Sequence, residues 1–134
     1  MNEKYFDTVF LISSTIKEFP PSFAILTACN PMDKALSIAE NQKRNLLLLN
    51  TLRKLEKTMT PITGTSPDQS HQEPSFVVSC SQEEATKLGT EFQQRAFFWV
   101  SNDQLEIIDC TTGMAYPAGL FSERIKQKMR TDPT

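Results

Sequence analysis

Ser37-Ile38-Ala39-Glu40-Asn41-Gln42-Lys43-Arg44-Asn45-Leu46-Leu47-Leu48-Leu49-Asn50-Thr51-Leu52-Arg53-Lys54-Leu55-Glu56-Lys57 carries the clearest helical signal in the chain. Ser37 followed by Glu40 is a capping box, in which the serine oxygen accepts from the Glu40 N–H and the glutamate reaches back. The spacing predicts a helix from about Ile38 to Lys57, with its basic residues toward the end the helix dipole favours. On a helical projection Ile38, Leu48, Leu49, Leu52 and Leu55 form one apolar stripe. Asn41 and Asn45 fall in the middle of that stripe, and Arg44 on its flank. An amide left unpaired in a core costs ~1–3 kcal/mol, so inward-facing asparagines must meet polar partners. Two readings stay open: these side chains hydrogen-bond the backbone of a neighbouring loop and hold it in place, or they line a wet pocket.

On the N-terminal side, Tyr5 to Ile16 contains Thr8-Val9-Phe10-Leu11-Ile12, rich in β-formers, which predicts a strand; a helix over Asn2–Ile16 is the alternative for so short an apolar run. Pro20-Pro21 ends that segment. Phe23 to Ala28 reads as a buried strand stopped by Asn30-Pro31, and the two strands suggest an antiparallel pair. On the C-terminal side, Pro61 to Gly64 suggests a short strand and Glu73 to Ser79 a longer one with Glu73, Ser75 and Val77 on one face. Ser81-Gln82-Glu83-Glu84 is a second capping box, opening a helix to about Gln94. Ala96-Phe97-Phe98-Trp99-Val100 is apolar on both faces and reads as a central strand. Ser101-Asn102-Asp103 is a turn, with Gln104 to Asp109 the strand returning from it. These elements predict an α+β fold, single-domain and two-layer, with a mostly antiparallel sheet and two main helices in the order ββαββαββ. Residues 1–112 would form that domain, and 113–134 a partly flexible C-terminal extension with a short helix over Ser122–Arg130.

Composition narrows the function classes. At 134 residues, 39% hydrophobic and 22% charged, the chain matches one globular domain. It has no apolar run long enough to span a membrane and no signal-peptide layout, so a cytoplasmic protein without membrane contact is expected. A net charge of −2 gives no global field for nucleic acid, despite basic clusters at Lys43-Arg44, Arg53-Lys54-Lys57 and the tail. Cys29, Cys80 and Cys110 are far apart, which disfavours a disulfide framework or a zinc knuckle and suggests small buried side chains.

The most varied polar stretch is Thr63 to Ser75, which holds the chain's single histidine and one of its four glycines. His71 and Glu73, two apart, point the same way on an extended segment. Asp68-x-x-His71-x-Glu73 has the ligand types for a divalent metal but matches no strong metal signature. Alternatively His71 is a general base beside a carboxylate, with Arg44 neutralising an anion, or simply a loop residue. Phosphate-loop, serine-hydrolase, Rossmann, kinase and zinc-finger patterns are absent, and no cofactor is indicated.

Four motifs carry a resemblance: Thr27-Ala28-Cys29-Asn30-Pro31; Ser37 with Glu40-Asn41 and Asn45; Gly64 with His71-Gln72-Glu73-Pro74-Ser75; and Phe92-Gln93-Gln94-Arg95-Ala96. In order and spacing they resemble the bacterial domain of unknown function family 3293, up to about Asp109. The chain departs from that pattern at Cys29, where an aromatic or histidine is usual, and at Gln93, where glycine is usual. The resemblance implies no established activity. It does imply that Asn30, Asn41, Asn45, Gly64, Glu73, Ser75 and Gln94 belong to one pattern. Such residues can converge either as a pocket or as a buried network that fixes a loop.

The leading expectation is a polar pocket for a small anionic or nucleotide-like ligand, with hydrolysis a further option. In it Arg44 meets the anion, Asn30, Asn41, Asn45, Ser75 and Gln94 bind and orient the ligand, and Glu73 with His71 transfers any proton. The alternative is a non-enzymatic interaction or regulatory module, with a protein partner or a second copy as its ligand. Leu47, opposite the apolar stripe, motivates it.

Overall fold

The computed structural model describes residues 1–12 and 18–127. Both predicted capping boxes form, Ser37 with Glu40 and Ser81 with Glu84, and they open helices α1 (Ile38–Lys54) and α2 (Gln82–Glu91). Each helix stops in the same way. After α1, Glu56 takes a left-handed conformation (φ 56°), and the Lys57 N–H reaches back to the Leu52 carbonyl (3.0 Å). After α2, Gln93 does so (φ 58°), and the Gln94 N–H reaches the Gly89 carbonyl (2.8 Å). Both are Schellman endings, which satisfy carbonyls the helix leaves unpaired.

Among the described residues there are also eight strands: β1 (Val9–Ile12), β2 (Ser22–Leu26), β3 (Met59–Thr65), β4 (Gln72–Val78), β5 (Ala96–Ser101), β6 (Gln104–Asp109), β7 (Ala115–Leu120) and β8 (Ile125–Gln127). They form one sheet in the order β7-β6-β5-β2-β4-β3-β1-β8, antiparallel except for the β1–β8 pair. The expected α+β class and two helices hold. No helix among the described residues is long and apolar enough to cross a membrane.

Three expectations change. β1 and β2 are not neighbours: the β3–β4 hairpin lies between them, β3 pairing with β1 and β4 with β2. A hairpin closed by a short turn forms a more local pair than two strands separated by Pro20-Pro21. Between Gly113 and Gln127 the chain forms no α-helix. It adds β7 and β8, which are the two outer strands of the sheet, with a 3-10 turn over Phe121–Arg124 between them in sequence. The rest of the expected helix, 128–130, and the end of the expected first strand, 13–16, lie outside the described residues. Finally, only Leu48 and Leu52 of the α1 stripe are buried; Ile38 and Leu55 are exposed and Leu49 is half-buried. Ile38 and Leu55 are at the helix ends, beyond the stretch that packs on the sheet.

The sheet is curled, and alternation along its strands divides two cores. Phe23, Ile25, Val77, Val100, Leu105 and Ile107 pack inside the curl with Phe10 and Phe121. Their neighbours Ala24, Leu26, Val78, Phe97 and Ile108 pack outside it against Leu48, Leu52, Ala85 and Leu88 of the helices. A sheet covered on one side by helices and on the other by its own curvature needs strands apolar on both faces, as β2 and β5 are. Arg124 ties β7 to the start of β1, donating to the Thr8 carbonyl (3.2 Å) and the Ala118 carbonyl (2.9 Å).

Candidate functional site

The inside of the curl is filled with apolar side chains except at one end, where β1 and β5 begin, β2 and β3 end, and β4 begins. There a cleft of about 1000 Å³ opens. Ile25, Phe10, Ala96 and Phe98 form its apolar floor, continuous with the core. The alternation that turns Val77 inward also turns Ser75 and Glu73 into the cleft. The rim is built from Asn30, Asp33, Leu36, Asn41 and the N-terminal 3-10 turn, Glu3–Asp7.

Glu73 is half-buried, and its carboxylate is held from one side. The Asn30 amide donates to its Oε1 at 2.8 Å. Asn30 is in turn fixed by three bonds. Its Oδ1 accepts from the Asn41 Nδ2 and from the Leu36 N–H, both at 2.9 Å, and its own N–H donates to the Asn41 Oδ1 at 2.9 Å. These bonds hold Asn30 in the left-handed region (φ 49°), which asparagine tolerates better than most residues. A relay thus runs from α1 through Asn41 and Asn30 to one oxygen of Glu73. The other oxygen accepts no hydrogen bond and Glu73 has no ion-pair partner among the described residues.

A second carboxylate, Asp33, is closely engaged. It accepts from the Tyr5 hydroxyl (2.7 Å) and Arg95 Nε (2.7 Å), and the Lys4 ammonium stands 3.1 Å away. Burial opposes its charged form, but the bonds from Tyr5, Lys4 and Arg95 prevail and hold its carboxyl below the usual range. Burial and the same Asp33 bond push the Tyr5 phenol strongly upward, so it remains a neutral donor.

The residues expected to form the site divide. Asn30, Asn41, His71, Glu73, Ser75 and Gln94 all line the cleft. Arg44 and Asn45 do not. Arg44 donates through Nε to the Ala28 carbonyl (2.6 Å) and through its terminal nitrogens to Phe92 and Gln93, so it joins the end of β2 to the end of α2. Asn45, buried, accepts from the Ala28 N–H (2.8 Å) and donates to the Pro74 carbonyl (2.7 Å). For Asn45 the backbone-holding reading describes these bonds, and the Arg44 guanidinium lies on the Ala28 and Phe92 carbonyls outside the cleft lining. Gln94 is intermediate: its Nε2 donates to the Cys29 carbonyl (3.0 Å) while the side chain still borders the cleft.

His71 is exposed at the β3–β4 turn, and its imidazole makes no hydrogen bond among the described residues. Asp68 is held by Ser66 and Ser70, first by the Ser66 hydroxyl, which keeps its carboxyl low at about 2. Among the described residues no three His, Cys, Asp or Glu side chains gather as metal ligands. Burial raises the Cys29 thiol, and burial with neighbouring carboxylates raises Cys80 and Cys110 to about 11, which fits packing rather than nucleophilic roles.

A family model described as Protein of unknown function (DUF3293) matches residues 26–97, more than half of the 134-residue chain. The chain belongs to this family. The DUF3293 match contains the Asn41–Asn30–Glu73 relay and Asp33, Ser75 and Gln94, while Tyr5, Phe10 and Phe98 of the cleft lie outside it. No match was found among curated proteins or among solved structures. Gln93 is the left-handed residue ending α2 (φ 58°), a position that favours glycine.

Tyr5, Asp33 and Phe98 are among the cleft residues that sequence reading missed. Tyr5 was obscured by the strand expected over its segment. Phe98 reads as core because the floor of the cleft and the core share one face of β5. Asp33 follows Asn30-Pro31 closely, and a carboxylate in a turn gives no pattern of its own.

Proposed function

We propose that the chain binds a small molecule in the mouth of the curled sheet and that Glu73 is the group that reads it. The observation that carries this reading is a carboxylate fixed at one oxygen by a side-chain relay while the other oxygen is left to a roomy, apolar-floored cleft. Mouths of closed or curled sheets are common ligand sites, where an apolar wall supplies affinity and a few placed polar groups supply orientation. Asn30 and Asn41 orient Glu73, while Ser75 and Gln94 line the wall beside it. Glu73 is also the one base in the cleft held ready to accept a proton if the bound molecule is turned over. His71, exposed and unoriented, is the weaker candidate for that role.

The interaction-module alternative has Leu46 and Leu47, exposed on the outer face of α1. Ile38 and Leu55 are exposed at the two ends of the same helix, and a partner surface would need these side chains to join into a patch of several hundred Å². A thermal-shift screen of small polar compounds tests the cleft reading. Saturating ligand should raise the melting temperature by several degrees. Gly64→Leu, which places a side chain at the cleft wall next to Thr8 and Phe10, should abolish the shift. A hit indifferent to Gly64→Leu overturns the cleft as the site.

A further inference from the structure

Charge and aromatic content narrow the ligand class. Among the described residues the cleft is lined by three carboxylates, Asp7, Asp33 and Glu73, against one cation, Lys4. Arg95 adds a second cation from outside, but it and Lys4 both lie on Asp33. Asp33 is therefore compensated, and Glu73 is not. A half-buried carboxylate without a cation partner favours an incoming positive charge, because the site lacks full solvation and supplies no counterion of its own.

Aromatic rings line the same cleft. Tyr5 and Phe98 meet at 6.0 Å between centroids with planes 62° apart, forming an open corner on the cleft. Phe10, fully buried, stands at 90° to Phe98 at 5.0 Å and fixes its plane. Rings set at an angle beside a carboxylate suit an ammonium group, which gains from both ring faces and the anion. The protein already makes one such contact: the Lys4 ammonium lies 5.5 Å from the Tyr5 ring centroid while paired with Asp33.

We infer that the cleft takes a small alkylammonium compound, its cationic nitrogen on the free oxygen of Glu73 and its carbon chain against Phe98. This rests on the cleft reading above and adds the charge of the ligand. It reverses the sign expected from Arg44, whose guanidinium lies outside the cleft. Lys4 is then an internal competitor, holding part of the acidic field that the ligand would meet.

An amide chemical-shift titration separates the two levels. The probes are n-butylammonium and tetramethylammonium, their uncharged counterparts n-butanol and tert-butanol, and AMP as an anion, each up to about 10 mM. The ammonium probes should shift the amides of Asn30, Gly64, Glu73 and Phe98 and bind about tenfold more tightly than the alcohols. Glu73→Gln keeps an oxygen for the Asn30 amide and should remove that advantage, whereas Lys4→Met should increase it. If the alcohols or AMP shift the same amides equally well or better, the cationic class falls and the cleft reading stands. If no probe shifts them, both fall.

Discussion

Asn41 and Asn45 stand one turn apart on the same face of α1, and their hydrogen bonds end in different kinds of place. Asn45 ends on backbone, the Ala28 N–H and the Pro74 carbonyl, and Arg44 beside it ends on the Ala28 and Phe92 carbonyls. Asn41 ends, through Asn30, on a carboxylate with an unused oxygen over a cleft. The first arm is closed: every bond joins two parts of the fold. The second arm is open. Residue type and helical spacing are the same in both, so the last acceptor in the chain of bonds distinguishes scaffold from site.

The largest expected effect is on the closed arm. Asn45→Ala orphans the buried Ala28 N–H and leaves the Pro74 carbonyl with its bond from the Thr27 hydroxyl, and urea unfolding should show a loss of ~2–3 kcal/mol. Ligand affinity of the folded fraction should be unchanged. A loss near zero would mean that the two asparagines are not of different kinds. Arg44→Met retains the aliphatic stem but removes the bonds to two carbonyls, one on each side of the β2–α2 junction. It should cost ~1–2 kcal/mol by the same measurement and leave any bound anion unaffected. Selective loss of anion binding with full stability would restore Arg44 to a ligand role.

These outcomes bear on what the sequence made legible. The capping boxes, the inward asparagines and the Glu73–Ser75–Val77 face depend on local spacing, and spacing is written in the residues. The partner of each polar side chain is not local. Nothing near Arg44 in sequence shows that Phe92, at the end of another helix, will take its guanidinium. The β1–β2 pairing was misread for a related reason, since a hairpin formed much later in the chain enters between them. β7 and β8 were missed because edge strands that carry Pro117 and Gly119, or span only Ile125–Gln127, show little alternation.

A smaller effect of opposite sign tests the junction that the closed arm supports. Gln93 ends α2 in the left-handed region, and its carbonyl accepts from the Met32 N–H at 2.7 Å. Glycine adopts that conformation without the Cβ penalty and preserves both backbone bonds. Gln93→Gly should therefore stabilise the protein by ~0.5–1 kcal/mol, read as a higher urea midpoint. The weak Arg44 contact to the Gln93 side chain, at 3.4 Å, is all it gives up. A destabilisation would show that this contact contributes more than its length suggests.

The smallest effect on stability belongs to the open arm, and its smallness is the point. Glu73→Gln keeps an oxygen to accept from Asn30 and removes a charge that has no cation partner among the described residues. If the Glu73 charge were part of the scaffold, its removal would cost folding free energy. If it is held for a ligand, the free protein should unfold within ~0.5 kcal/mol of the parent, or be slightly more stable, because the folded state is relieved of a partly desolvated charge. Urea midpoints of the parent and Glu73→Gln, compared with the loss in Asn45→Ala, decide between these. A cost at Glu73 as large as at Asn45 would make the open arm a second closed one, with the cleft a by-product of the curled sheet.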